Sequence, residues 1–77
     1  MFKLTENNQS PTIMPAHKAR NVAYENNVAE GWAHDAWEYV AETLPNGKAR
    51  VAVYDAPLNL IRYIHGNTQE RRIIGYL

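Results

Sequence analysis

Lys48-Ala49-Arg50-Val51-Ala52-Val53-Tyr54 decides the fold. Ala49, Val51 and Val53 alternate with Arg50, Ala52 and Tyr54, a period of two that sends one set to each face of a strand. Asp55-Ala56-Pro57 breaks the run, since proline fixes its own φ and donates no ladder hydrogen bond. Leu58 to His65 then restores apolar content through Leu60, Ile61, Tyr63 and Ile64. The spacing predicts a β-hairpin built from 48–54 and 58–65. Gly66-Asn67-Thr68 reads as the next turn. Ile73, Ile74, Tyr76 and Leu77 suit a third strand within 71–77.

On the other side of this stretch, Leu44-Pro45-Asn46-Gly47 is a stop signal. Residues 16–44 before it read as helix. Val22, Ala29, Ala33, Ala36, Val40 and Leu44 fall on one stripe at about 100° per residue. Trp37 and Trp32 flank that stripe on opposite sides. Pro15 suits the first helical position, where a missing N–H costs nothing. Asn26-Asn27 are poor helix formers, and Asn27 with Glu30 resembles a capping pair, so a kink is expected there. In residues 1–15, Phe2 and Leu4 alternate with Lys3 and Thr5 as in a short edge strand, and Asn7 to Pro11 form a loop by composition.

The expected architecture is α+β: one long or kinked helix packed on a small antiparallel sheet of two to four strands. A chain of 77 residues has room for a single domain, 1–77. Such a domain buries roughly 60% of its unfolded surface and is marginally stable. With no cysteine, disulfides and cysteine-ligated zinc cannot help. At 45% apolar residues the chain is too hydrophobic for a disordered tail. No apolar run approaches the roughly 20 residues that span a bilayer, and the N-terminus lacks a signal-peptide core. A cytoplasmic location with no membrane partner is the expectation.

A formal net charge of zero conceals segregation. Residues 1–20 carry +2, residues 21–47 carry −5 and residues 48–77 carry +3. On a helix, Asp35, Glu38 and Glu42 project opposite the apolar stripe, with Glu30 nearby. The plain reading is a solvated face that keeps a small protein soluble. The functional reading is an acidic surface, Glu30, Asp35, Glu38 and Glu42, that docks a basic macromolecule. The basic sheet offers a second surface, Arg50, Tyr54, Arg62 and Tyr63, where cations and rings interleave. Trp32, off the stripe, is the aromatic expected at an interface.

Catalytic constellations are absent. Ser10 lies in a polar loop without a nucleophile elbow, and no phosphate-binding glycine loop exists. His34 and Glu38 share a helical face, but a metal site would need His65 or Asp55 as well. The plain reading is a rim histidine beside a carboxylate, so neither metal nor cofactor is expected.

The expected function is a non-enzymatic protein-interaction module that binds a larger protein, with homodimerisation as a further option for burying apolar surface. In size, charge balance and lack of catalytic chemistry the chain is similar to small accessory proteins of phages and mobile elements, some of which inhibit host enzymes by occupying their surfaces. The alternative is a small nucleic-acid-binding regulator, using arginines for phosphate and tyrosines for stacking.

Overall fold

A computed structural model describes residues 10–30, 37–65 and 71–77. The described elements run β1 (Met14–Pro15), α1 (Ala16–Glu30), β2 (Glu38–Thr43), β3 (Lys48–Tyr54), α2 (Leu58–His65) and β4 (Ile73–Tyr76). All strand pairings are antiparallel, in one four-stranded sheet. The α+β arrangement is the one expected, but two of its elements change type.

The strand at 48–54 is the centre of the sheet. β2 pairs along its whole length, Glu38 with Tyr54 through Thr43 with Ala49. Its other edge is shared. β1 pairs Met14 with Ala49, and β4 pairs Tyr76 with Ala52 and Gly75 with Val53. The N–H of Thr12 donates to Leu77 O at 3.2 Å, and the N–H of Leu77 donates to Val51 O at 3.0 Å, which stitches the two short partners together.

Alternation then sorts the side chains. Ala49, Val51 and Val53 face α1, together with Tyr39 from β2 and Met14 from β1, and all are buried. Val51 and Val53 lose all solvent contact, worth about 2 kcal/mol each in apolar transfer. α1 meets them with Ala19 and Ala23, both buried, and with the partly buried Ala16 and Val22. Positions 16, 19, 22 and 23 are the i, i+3 and i+4 spacing of one helical face. Alanines there let the helix backbone lie close to the sheet.

The helical reading of 16–44 is corrected: α1 ends at Glu30 and 38–43 is a strand. Glu38-Tyr39-Val40-Ala41-Glu42-Thr43 carries aromatic and β-branched residues that fit a pleated surface. It also has β3 to pair with across a tight turn, and tertiary pairing overrides weak helical periodicity. The predicted stripe shifts as a result: Val40 is a strand residue and Leu44 follows the strand, while Ala33 and Ala36 lie outside the described residues. Ala29 is exposed, while Ala19 and Ala23 take the buried face.

The hairpin partner of 48–54 is therefore β2, and the expected strand at 58–65 is the helix α2. Pro57 explains the change. It precedes Leu58, and its carbonyl accepts from Ile61 N–H at 3.2 Å, closing a first helical turn. Ile61 is buried, with Asn59 and Arg62 exposed. The third strand is found at Ile73–Tyr76, with a register shift between Val53 and Tyr54. The bulge leaves Ile74 packed on the α1-side core. The expected edge strand at Phe2–Thr5 lies outside the described residues.

Leu44-Pro45-Asn46-Gly47 turns the hairpin rather than stopping a helix. Leu44 N–H donates to Lys48 O at 2.7 Å, and Gly47 N–H donates to Leu44 O at 3.0 Å. Asn46 Oδ1 accepts from Lys48 N–H at 3.0 Å. Gly47 has φ +82°, the left-handed conformation this three-residue loop needs. A Cβ there would meet nothing within 4 Å, so the penalty of a side chain is conformational alone. Gly47→Ala is expected to cost about 1–2 kcal/mol, read as a lower denaturation midpoint with an unchanged denaturant slope.

Helix α1 continues unbroken through Asn26-Asn27, where a break or kink was expected. Asn26 turns its amide back to Val22 O at 2.8 Å. Asn27 leaves the helix altogether. Its Nδ2 donates to Tyr39 O at 2.9 Å, and its Oδ1 accepts from Tyr39 N–H at 3.0 Å. One side-chain amide thus does for Tyr39 what a neighbouring strand would do.

Candidate interaction surface on the open sheet face

The face of the sheet away from α1 is built from the other half of the alternation. β3 contributes Arg50, Ala52 and Tyr54. Across the ladder stand Glu42, Val40 and Glu38 from β2, and Tyr76 and Ile73 from β4. Ala52, between Val40 and Tyr76, is fully buried.

Register fixes which charges meet. Glu42 is directly opposite Arg50, and Arg50 Nε donates to its Oε1 at 3.0 Å. The other oxygen of Glu42, Oε2, accepts from the Tyr54 hydroxyl. Arg71, just before β4, donates through Nη1 to Glu38 Oε1 and to Ala56 O, the latter at 3.2 Å. Its guanidinium also lies over the Tyr54 ring, 4.5 Å from the centroid, and that of Arg50 lies over Tyr76 at 4.9 Å. Both distances are within cation–π reach. The result is one connected ladder, Glu38–Arg71–Tyr54–Glu42–Arg50–Tyr76.

Glu38 and Glu42, expected on one surface, and Arg50, expected on another, therefore share a single face, where Arg50 pairs with Glu42 and Arg71 with Glu38. Glu38 and Glu42 are strand residues, not helix residues, so the acidic helical face is corrected. The −5 segment folds against the +3 segment, which explains why a segregated sequence yields a matched surface. Glu30 closes α1, while Asp35 and Trp32 lie outside the described residues. Of the expected sheet set, Arg50 and Tyr54 are on the face. Arg62 and Tyr63 belong to α2, with Arg62 exposed.

Arg71 and Tyr76 were not singled out from sequence. The available signal was the pairing of β4 with β3, which needs 38–43 and 73–76 to be read as strands first. Trp37, read as flanking the helical stripe, packs on the core from the residue before β2. Its Nε1 donates to the Tyr39 hydroxyl at 3.2 Å.

The Tyr54 hydroxyl is pushed above its ordinary pKa of 10.0, first by its hydrogen bond to Glu42, then by burial and by repulsion from that carboxylate; Arg71 and Arg50 pull the other way. A phenolate would place two anions on one hydrogen bond. A raised folded-state pKa contributes stability below the unfolded value, and that contribution is lost as pH rises through the folded value. The stability difference between the native chain and Tyr54→Phe should therefore stay constant below about pH 10 and shrink above it, as read by denaturant melts across pH.

Among the described residues no group of three His, Asp or Glu side chains could hold a metal. Glu38 is committed to Arg71. Asp55 is committed to Arg72, whose N–H and Nε reach its two oxygens at 3.0 and 3.4 Å. His34 lies outside the described residues. Among those residues, no helix is long and apolar enough to cross a membrane. The chain matches no family model, no curated protein and no solved structure.

Proposed function

We propose that the chain is a non-enzymatic interaction module that binds a larger protein through the sheet face opposite α1. The connected ladder of arginines, glutamates and tyrosines on that face carries the reading. Tyrosine and arginine dominate binding energy at protein interfaces. Here their side chains are already held by neighbours, so binding would forfeit little rotamer freedom. Where the bound surface is an enzyme's working face, the same contact would inhibit it, which is the mode of some phage accessory proteins.

Charge pairing weighs against nucleic acid as the partner. Arg50 and Arg71 each face a carboxylate, so an incoming phosphate would compete with Glu42 or Glu38 and be repelled by them. It also weighs against a purely acidic docking surface, since both acids are neutralised by arginine.

The test is affinity capture from the native host with Arg50→Ala and Tyr76→Ala, each checked for intact melting. Arg62→Ala, on exposed α2, is the control. Capture of one dominant protein should fall about tenfold or more for the two face variants and hold for the control. Undiminished capture by both face variants would sink the reading. A salt-sensitive mobility shift of nucleic acid would transfer it to the alternative.

A further inference from the structure

The two edges of the sheet are finished differently. The β1/β4 edge is protected by the brevity of β1, by Pro15 and by the register shift where β4 meets β3. On the β2 edge a side chain caps one residue. Leu44 bonds inward to Lys48, so by alternation Glu42, Val40 and Glu38 also bond inward, and Tyr39, Ala41 and Thr43 turn their N–H and C=O groups outward. Asn27 occupies the outward groups of Tyr39. Among the described residues, none bonds the outward groups of Ala41 and Thr43.

Such an edge can pair with its own copy about a two-fold axis. With Tyr39 capped, the register centred on Glu42 uses both open residues, setting Ala41 against Thr43 of the copy. Like charge opposes it. α1 begins near the Met14–Ala49–Thr43 end of the sheet and reaches Tyr39 by Asn27, so it runs antiparallel to β2. Arg20, exposed, lies two turns before Asn27 on the same flank. That is about 10 Å back along the helix, or about three strand residues from Tyr39, so Arg20 is level with Glu42 and would meet its twin. Glu42 is already held by Arg50 and Tyr54, so the opposition rests on Arg20. The register centred on Ala41 avoids it. There a small side chain lies on the axis, Arg20 and its twin fall to opposite sides, and Tyr39 pairs with Thr43 of the copy. Among the described residues, what stands in its way is Asn27, whose amide fills the place that the Thr43 backbone of the copy would take.

We infer that the β2 edge is a two-fold pairing surface for a second copy of this chain and that Asn27 holds it shut. By bonding Tyr39, the amide blocks both residue pairs that flank the axis, Tyr39 with Thr43 of the copy and its symmetry mate. The pair that remains, Ala41 with its twin, is too short a ladder to hold two chains together. Asn27 thereby keeps the protein monomeric at this edge. The inference goes beyond the proposed interaction role and does not depend on it, because the open sheet face takes no part.

The test is translational diffusion and amide shifts by NMR for the native chain, Asn27→Ala and Asn27→Asp at pH 7, from about 50 μM to about 1 mM. Trimethylamine N-oxide is added throughout so that destabilised variants fold. The native chain should stay monomeric. Asn27→Ala should dimerise at least about thirtyfold more tightly, with concentration-dependent shifts at Ala41 and Thr43 and a melting temperature that rises with concentration. Asn27→Asp is also destabilised but keeps a charged group in the gap, and should stay monomeric. Adding Thr43→Pro, which removes an outward N–H that an edge strand can lose, should return Asn27→Ala to a folded monomer. A native dimer that protects the Ala41 and Thr43 amides would overturn the inference. So would an Asn27→Ala chain that stays monomeric, or unfolded, at the highest concentration. Equal dimerisation of Asn27→Asp, or a dimer indifferent to Thr43→Pro, would overturn it as well, since lost stability and not an opened edge would then drive association.

Discussion

Asn27→Ala should destabilise the domain by about 2 kcal/mol or more, although it deletes a polar side chain from a partly buried helix position that alanine itself favours. The reason is that one amide carries both backbone hydrogen bonds of an edge-strand residue. Tyr39 is almost wholly buried, and both its backbone N–H and its carbonyl bond to Asn27. Truncation removes both of these bonds. Each orphaned buried group costs roughly 1–3 kcal/mol, less whatever water recovers. In a domain of this length that lowers the melting temperature by roughly 4–8 °C per kcal/mol. Asn27→Asp supplies an internal check. Its carboxylate still accepts from the Tyr39 N–H but faces the Tyr39 carbonyl without a proton, and regains a donor on protonation. Its folded pKa should be raised, so its stability deficit should narrow as pH falls toward about 4. A loss of under about 0.5 kcal/mol for Asn27→Ala, the range of an ordinary surface change, would show that the amide bridge is incidental.

Arg71→Ala is the second large effect, expected near 2 kcal/mol. Its guanidinium bonds Glu38 and Ala56 O and covers Tyr54. Removing it strands Glu38, breaks the tie between the segment leading into β4 and β2, and uncovers the Tyr54 ring. Glu38 keeps 30% of its side chain exposed, so the stranded charge costs less than the roughly 3–5 kcal/mol of a fully buried pair. Arg71→Lys keeps the charge but not the planar stacking group, and should recover about half the loss. Equal losses for both variants in chemical denaturation would mean that the ring contact, not the charge, dominates.

These two residues also mark the limit of what the sequence displays. The central strand was legible because Ala49, Val51 and Val53 alternate cleanly, and the helix was legible from residue 16, although within α1 only Val22 of the predicted stripe packs on the core and Ala29 is exposed. Residues 38–43 were not. Glu38 and Glu42 stand four apart and look like one helical face, yet the same spacing puts them on one face of a strand. Only the proximity of β3 decides between the two, and proximity is tertiary information. The segment 58–65 failed the other way: Ile61, Tyr63 and Ile64 are β-formers by type, but Pro57 sets up a helical turn before them. The site was half legible. Arg50, Tyr54, Glu38 and Glu42 were each singled out, but as two competing surfaces. Register alone joins them, and it brings in Arg71 and Tyr76.

The central position of β3 also bears on the order in which the molecule assembles. β2 lies one short turn away, so that ladder can zip with little loss of loop entropy. Met14, by contrast, must find Ala49 across the whole of α1 and the hairpin, and β4 must return past α2. Those distant partners join after the hairpin has formed. The hairpin is the template onto which they condense, so weakening β1 should show mainly as faster unfolding rather than slower folding.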